Sequence, residues 1–398
     1  MPLDVVQTLS DLVALPSVNP MGRVVEGTEY YEYRVTDYLE RLFESLGLPY
    51  QRQTVEPKRD NIVARLDGRR SPAEGGPLVL FEAHQDTVPV TGMTIEPWTP
   101  LVRDGRIYGR GACDIKGGMA AMLTALARLA DERPADMPTI VMACTVNEEH
   151  GYSGATALVQ LWSQAGAIIP RRPDVCVVAE PTDLQVVVAH KGVVRWRCNT
   201  HGRAAHSSQP QLGVNAIFKM RRVLEALERY QRDIAATLGS HPRCGTPTLS
   251  VGVISGGLSV NTVPDQCTIE IDRRLIPGED PQTAYRHVID FVASATDNDP
   301  AIEHEAPFLF GRGLADDANE RLAVHMVAAA ESAGITSRPA GVPYGTDAAA
   351  IAAAGVPSIV FGPGSIDQAH TADEWLSLDQ LKQAAEALYQ FGRRPVDL

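Results

Sequence analysis

The feature that most constrains this chain is where its histidines and acids fall relative to its apolar runs. PLVLFEA (77–83) reads as a buried strand and is followed at once by His84 and Asp86. TIVMACTV (139–146) is a second strand, followed by Glu148 and Glu149. DVCVVA (174–179) is a third, followed by Glu180, and PSIVF (357–361) a fourth, with His370 in the loop beyond it. IKGGMAAMLTALARLA (115–130) reads as a helix, and Asp114 sits at its start in the glycine-rich turn GRGACD. Strands alternating with helices argue for βαβ units around a mostly parallel sheet. Ligands of such a sheet bind beyond the carboxyl ends of its strands. Separate loops therefore deliver imidazole and carboxylate groups to one edge.

The middle of the chain has a different rhythm. Residues 185–200 form a long β-type run, 214–238 a charged amphipathic helix, and 248–254 and 266–275 strands of period two. A helix over 281–295 and a strand near 301–307 follow. That order resembles a ferredoxin-like split βαβ unit. The α/β pattern resumes with helices over 321–333, 347–354 and 378–391. Earlier helices are expected near the N-terminus and over 154–165. Residues 57–76, polar and Gly/Pro-bearing around a short strand, read as surface structure. The expected architecture is an α/β catalytic domain (1–188 and 306–398) interrupted by a smaller α+β lid or dimerisation domain (189–305). Charge divides the same way. Residues 191–302 carry a net of +2, while the chain as a whole carries −13 from 36 basic and 49 acidic residues.

So acidic a chain, with no long basic run, does not bind nucleic acid through general electrostatics. The longest apolar stretch, 348–364, is broken by Gly355 and Pro357 and is too short to span a membrane. The first twenty residues carry Asp4 and Asp11 and lack a basic start, so they do not read as a signal peptide. Six cysteines without CxxC pairing read as buried reduced thiols of a cytoplasmic protein. GRGACDIKG lacks the G-K-[ST] ending of a phosphate loop, and GYSGA is not a G-x-S-x-G elbow. Cys113 reads as a small buried residue and His150 as a neighbour of the site or surface.

A single histidine at a strand end is usually a hydrogen-bonded structural residue, and a lone Glu-Glu pair is usually solvated. Several together at strand ends and one helix start point to a metal site. Imidazole with carboxylate suits Zn²⁺, Co²⁺ or Mn²⁺, with zinc the default. Five ligands exceed what one catalytic zinc takes with a position left open. Two metals sharing a carboxylate solve the count.

HQDTVP (84–89), GRGACDIKGG (109–118), NEEHGYSGA (147–155), VAEPT (178–182), GRAAHSSQPQLGVNAI (202–217) and GTDAAAI (345–351), ending with His370, resemble the dinuclear zinc amidohydrolases. That family includes acetylornithine deacetylase, succinyl-diaminopimelate desuccinylase and carboxypeptidase G. The match in order and spacing covers nearly the whole chain. The resemblance implies that His84 and Glu180 hold one zinc, Glu149 and His370 the other, and Asp114 bridges both. It implies a bridging hydroxide as nucleophile. Glu148 is then the general base that passes a proton to the leaving nitrogen. Asp86 would fix the tautomer of His84; its plain alternative is a turn residue.

The same resemblance gives the smaller domain a share. His206, otherwise a loop histidine, would steady the oxyanion, in cis or from the other subunit of a homodimer. Arg274 in DRRLIPG would grip a substrate carboxylate, while Arg273, on the opposite face, reads as solvated. Asn261 would touch substrate or oxyanion, and Gly345 and Thr346 would form a backbone loop near the substrate. The activity so implied is hydrolysis of the amide bond of an N-acyl amino acid. A carboxypeptidase or dipeptidase, or remotely a non-catalytic binding protein, is the alternative.

Overall fold

Apolar runs without polar alternation must be covered on both faces, and parallel pairing between helices does this. In the computed structural model, which describes residues 3–394, eight strands form one sheet. They are β1 (Tyr50–Glu56), β2 (Arg59–Leu66), β3 (Leu78–His84), β4 (Thr139–Thr145), β5 (Val175–Val178), β6 (Val186–His190), β7 (Pro339–Val342) and β8 (Ser358–Val360). Their order is β1-β2-β4-β3-β5-β8-β6-β7. The middle of the sheet, β4-β3-β5-β8, is parallel. β1 and β2 extend it antiparallel on one side, and β6 runs antiparallel to β8 on the other. These four parallel strands are the four apolar runs that precede the candidate ligands.

Helices Val5–Val13, Lys116–Glu132 and Leu378–Gly392 pack together and share a core with the sheet through Leu9, Phe81, Met119, Leu126 and Leu388. The Lys116 helix is built from Ala, Leu and Met, the strongest helix formers, and is buried on nearly every side. Its two glycines have a packing reason. A Cβ on Gly118 would lie 2.8 Å from Ala179 Cβ, so only glycine lets the helix start approach the end of β5, where Glu180 follows.

Two corrections concern the first eighty residues. β2 is not surface structure: Ile62, Val63, Ala64 and Leu66 are fully buried, because β1 and β4 pair with both its edges and helices Tyr33–Ser45 and Ser153–Leu161 pack against it. Of its charged residues Arg59, Asp60 and Arg65, the first is buried against Glu32. Helix Tyr33–Ser45 and strand β1 also stand where no element was expected. The helix buries Val35, Leu39, Leu42 and Phe43.

Contact clustering separates two units. One comprises the chain up to Val188, Asp316–Ala340 and the chain from Thr346; the other comprises Ala189–Ala315 and Gly341–Gly345. The expected return to the larger unit at 306 comes later, because Leu309–Gly311 pairs with strand Gly192–His201. The smaller unit runs strand–helix–strand–strand–helix–strand through Gly192–His201, Ala216–Arg229, Thr248–Gly256, Gln266–Leu275, Pro281–Ala295 and Ile302–His304. Its sheet is antiparallel. The expected run over 185–200 is two strands, split at Lys191, and the helix expected to 238 leaves α geometry after Arg229. Among the described residues no helix is long and apolar enough to cross a membrane.

Candidate metal centre

His84 is the last residue of β3, and its neighbours decide its tautomer. The Nδ1–H donates to the backbone carbonyl of Asp86 at 3.0 Å. Nε2, the nitrogen that could ligate a cation once its proton is lost, lies 3.2 Å from Asp114 Oδ1 and 3.9 Å from Glu180 Oε1. On the other side of Asp114, Oδ2 lies 3.3 Å from His370 Nε2, which in turn lies 3.2 Å from Glu149 Oε2. Two triads result, His84–Asp114–Glu180 and Asp114–Glu149–His370, each with one ligand atom per residue within 4.8 Å of the others. Asp114 belongs to both. Its first carboxylate oxygen faces one triad and its second faces the other, as a bridging ligand requires. The peptide that follows it is cis.

The donor set fits cations. Acceptors facing acceptors at about hydrogen-bond distance need a proton or a cation between them. Glu149 Oε1 is buried and has no hydrogen-bond partner among the described residues. Burial, then the charges of Asp114 and its neighbours, raises the carboxyls of Glu149 and Glu180 above their usual range. Burial alone would lower His370. The hydrogen bonds to Asp114 and Glu149 outweigh it and push the imidazole up to about 11. Burial likewise opposes a charged His84, yet its bond to Asp114 and the surrounding acids carry it well above 6.5. Asp114 shows the converse. Burial would raise it, but His370 and His84 hold it well below the carboxylate range. So many buried acids around two imidazoles are what oxygen- and nitrogen-bound divalent ions compensate.

Four of the five candidate ligands follow the carboxyl ends of the adjacent strands β4, β3, β5 and β8, and the fifth stands at the start of the Lys116 helix. Glu148 lies beside them. Burial, with Asp347, Glu149 and Asp114 as negative neighbours, raises its carboxyl well above 4.5 against the pull of His84. Asp86 corrects an expectation. Its backbone carbonyl, not its carboxylate, holds the His84 tautomer; Oδ1 is 3.6 Å from Nδ1. The carboxylate accepts from the amides of Glu148 (3.1 Å) and Glu149 (3.2 Å) and from Asn19 Nδ2 (2.7 Å). It therefore positions the Glu-Glu loop.

Several residues around the site carry no sequence signal. Asn19 also donates to Asn147 Oδ1 at 3.0 Å. The buried Glu32–Arg59 pair accepts the Asn147 amide at 3.4 Å through Glu32. Thr145 Oγ lies 2.5 Å from Glu82 and 3.0 Å from Asp347, two buried carboxyls that also bond each other. Burial pushes Asp347 up to about 7.

His206, Asn261, Arg274 and Gly345 belong to the smaller unit, and Thr346 to the larger. His206 is exposed, pairs with Thr262 in a two-residue ribbon, and lies 2.7 Å from Ser208 Oγ through Nδ1. The next residue, Ser207, donates its amide to Asn261 O at 3.0 Å, so His206 and Asn261 share one corner. Arg274 is partly exposed and bonds Asp272 at 2.7 Å. Arg273 is the buried one, a correction: strand alternation places it with Ile269, Ile271 and Leu275 under the helices, where Glu279 neutralises it. Thr346 is buried and its hydroxyl accepts the amide of Ala348, at the start of helix Ala348–Ala353.

The chain is similar to known proteins over most of its length. Residues 80–394 match the model of peptidase family M20/M25/M40. An acetylornithine deacetylase from Myxococcus xanthus is 29% identical over 387 residues, 96% of this chain and 94% of its own. One from Vibrio cholerae is 31% identical over 383 residues, 91% and 90% of the two chains. A di-peptidase structure from Saccharomyces cerevisiae superposes with a TM-score of 0.79 at 15% identity, over 98% of this chain and 95% of that one, and so shares the fold. With two triads of metal-type ligands at the strand ends, and a family match over most of its length, this chain belongs to peptidase family M20/M25/M40 and is a metal-dependent hydrolase.

Proposed function

We propose that the protein removes the acyl group from N-acyl amino acids by hydrolysing their amide bond, with two zinc ions held by His84, Asp114, Glu149, Glu180 and His370. The observation that carries this reading is the division of Asp114 between the two triads. Zinc, when bound, polarises the amide carbonyl and makes water acidic enough to attack near neutral pH. Co²⁺ or Mn²⁺ suits the same ligands.

The chain's own residues supply the rest. Glu148 takes the proton of the attacking water and returns it to the leaving nitrogen, a relay for which a raised carboxyl is suited. Asp86 holds the Glu148–Glu149 backbone in place for that transfer. Arg274 offers a guanidinium fork to the α-carboxylate. His206 and Asn261, neighbours in one ribbon, donate to the developing oxyanion, and the Gly345–Thr346 backbone borders the substrate. Relatives named acetylornithine deacetylase favour a deacylase over a peptidase. A panel of N-acetyl, N-succinyl and N-formyl amino acids with dipeptides tests it. Chelator-treated protein should be inactive and zinc should restore turnover, fastest on an N-acyl amino acid. Faster turnover of dipeptides, or full activity without metal, would refute the reading.

The smaller unit also exposes Phe218, Leu258 and Val260, the last two almost completely. An apolar patch of that kind marks an interface, and a homodimer through this unit is the reading that fits. Light scattering should give a dimer at micromolar concentration, and the double variant F218E/V260E a monomer. A monomeric wild type would dismiss the interface. The buried thiols suit a reducing, cytoplasmic setting.

A further inference from the structure

The segment that carries Asp114 to the centre, between Tyr108 and Lys116, has no regular structure, so its amides must find partners outside a helix or sheet. Three of them, those of Gly111, Cys113 and Asp114, find the same carboxylate, while those of Arg110 and Ala112 bond main-chain carbonyls. Glu374 is fully buried. Its Oε1 accepts from the amides of Cys113 (2.9 Å) and Asp114 (3.0 Å). Its Oε2 accepts from the amide of Gly111 (3.1 Å) and from Arg110 Nη1 (2.6 Å). Arg110, also buried, donates its other terminal nitrogen to Pro89 O at 3.2 Å, in the segment that begins at His84. The main chain adds a bond from Gly109 N to Glu374 O at 3.1 Å.

Glu374 stands four residues after His370, which sits at φ 62°, in the left-handed region that side-chain-bearing residues rarely adopt. Such a conformation persists only where the surroundings enforce it. One carboxylate thus ties the segment of His370 to the segment of Asp114, and through Arg110 to that of His84. A buried ion pair is weak evidence for stability by itself, since apolar residues of similar size often serve as well. Three backbone amides and one guanidinium converging beside a shared ligand are better explained by placement.

We propose that Glu374 is a positioning residue of the metal centre: its four hydrogen bonds to the 110–114 segment fix Asp114 against His370 before any cation arrives. The inference rests on the metal reading above. The near-isosteric E374Q tests it, because whichever way its amide turns, an NH₂ group faces two donors. Chelator-stripped wild type and E374Q are titrated with zinc against a chromophoric chelator, well below the melting temperature of either. Wild type should take two ions. E374Q should bind the weaker-held ion about 10–100-fold less tightly, the usual cost of losing a group that orients a ligand. Two ions bound by E374Q as tightly as by wild type would overturn the proposal. A wild type that takes no zinc would instead overturn the metal reading beneath it. Hydrogen exchange on metal-free wild type needs no variant. The amides of Gly111, Cys113 and Asp114 should already be protected, and protection that appears only on adding zinc would refute preorganisation.

Discussion

Replacing Asp114 by alanine should remove both cations at once and lower kcat/KM by more than about 10³-fold, the scale of losing a single transition-state donor being already 10²–10³. Variants of Glu180 or Glu149 each strip ligands from one triad. Only Asp114 contributes an oxygen to each. The loss should be one of ligation and not of folding. Asp114 is the chief charged neighbour that raises Glu149 and Glu180, so its removal relieves repulsion among the buried acids. Its removal also breaks the bonds to His84 and His370, so the measurement is the gain in melting temperature that D114A and wild type each show on adding zinc. The two should part company when zinc is added. A ligand at a thousandfold its Kd stabilises the folded state by about 4 kcal/mol, and the variant should gain almost none of it. The proton balance offers a second measurement. His370 is pushed up to about 11 without metal, so its imidazole is charged at neutral pH and must lose that proton to become a ligand. Zinc binding to wild type should release protons, and its affinity should rise with pH; D114A should show neither effect. Full zinc content in D114A would remove the shared-ligand arrangement.

What could be read in the sequence followed from local pattern. The parallel strands β3, β4, β5 and β8 are uninterrupted apolar runs, and four of the five candidate ligands lie at or beyond their ends, so strand and candidate site were legible together. β2 was not, because Arg59 and Asp60 mark it as surface; only a partner distant in sequence, Glu32, makes a buried arginine there possible. Arg273 misled for the same reason. Period-two alternation correctly separated it from Arg274, but charge does not say which face is covered, and the covering helices decide that. Helix Tyr33–Ser45 had a readable spacing in Val35, Leu39 and Leu42, set in a segment with no ligand-type pattern to draw notice. Asn19, Glu32 and Glu374 act on the site through bonds that span from about a hundred to more than two hundred and fifty residues of chain, and no local motif encodes such bonds.

The Glu148 variants separate proton transfer from metal binding. Glu148 belongs to neither triad, so Glu148→Gln and Glu148→Ala should retain two zinc ions with near-normal affinity. Turnover should nonetheless fall by about 10²–10⁴-fold, the contribution of a well-placed general acid–base group. The glutamine variant decides between two roles. A glutamine can still hydrogen-bond but cannot carry a proton, so if Glu148 only oriented water, E148Q would keep most of its rate. If it relays the proton, E148Q and E148A should be equally poor. The pH profile gives an independent reading. Burial holds the Glu148 carboxyl up, with Asp347, Glu149 and Asp114 adding to the effect. A base must be ionised to act, so wild-type kcat/KM should fall as pH drops through the pKa of this group, and that acid limb should be absent from the residual activity of E148Q. Near-normal turnover in E148Q, or an unchanged acid limb, would assign the proton transfer to another residue while leaving the ligand set intact. Asp86 sharpens the comparison, since its carboxylate holds the Glu148 amide without facing the reacting atoms. Asp86→Ala should slow turnover by loosening that loop, yet keep an acid limb that E148Q loses.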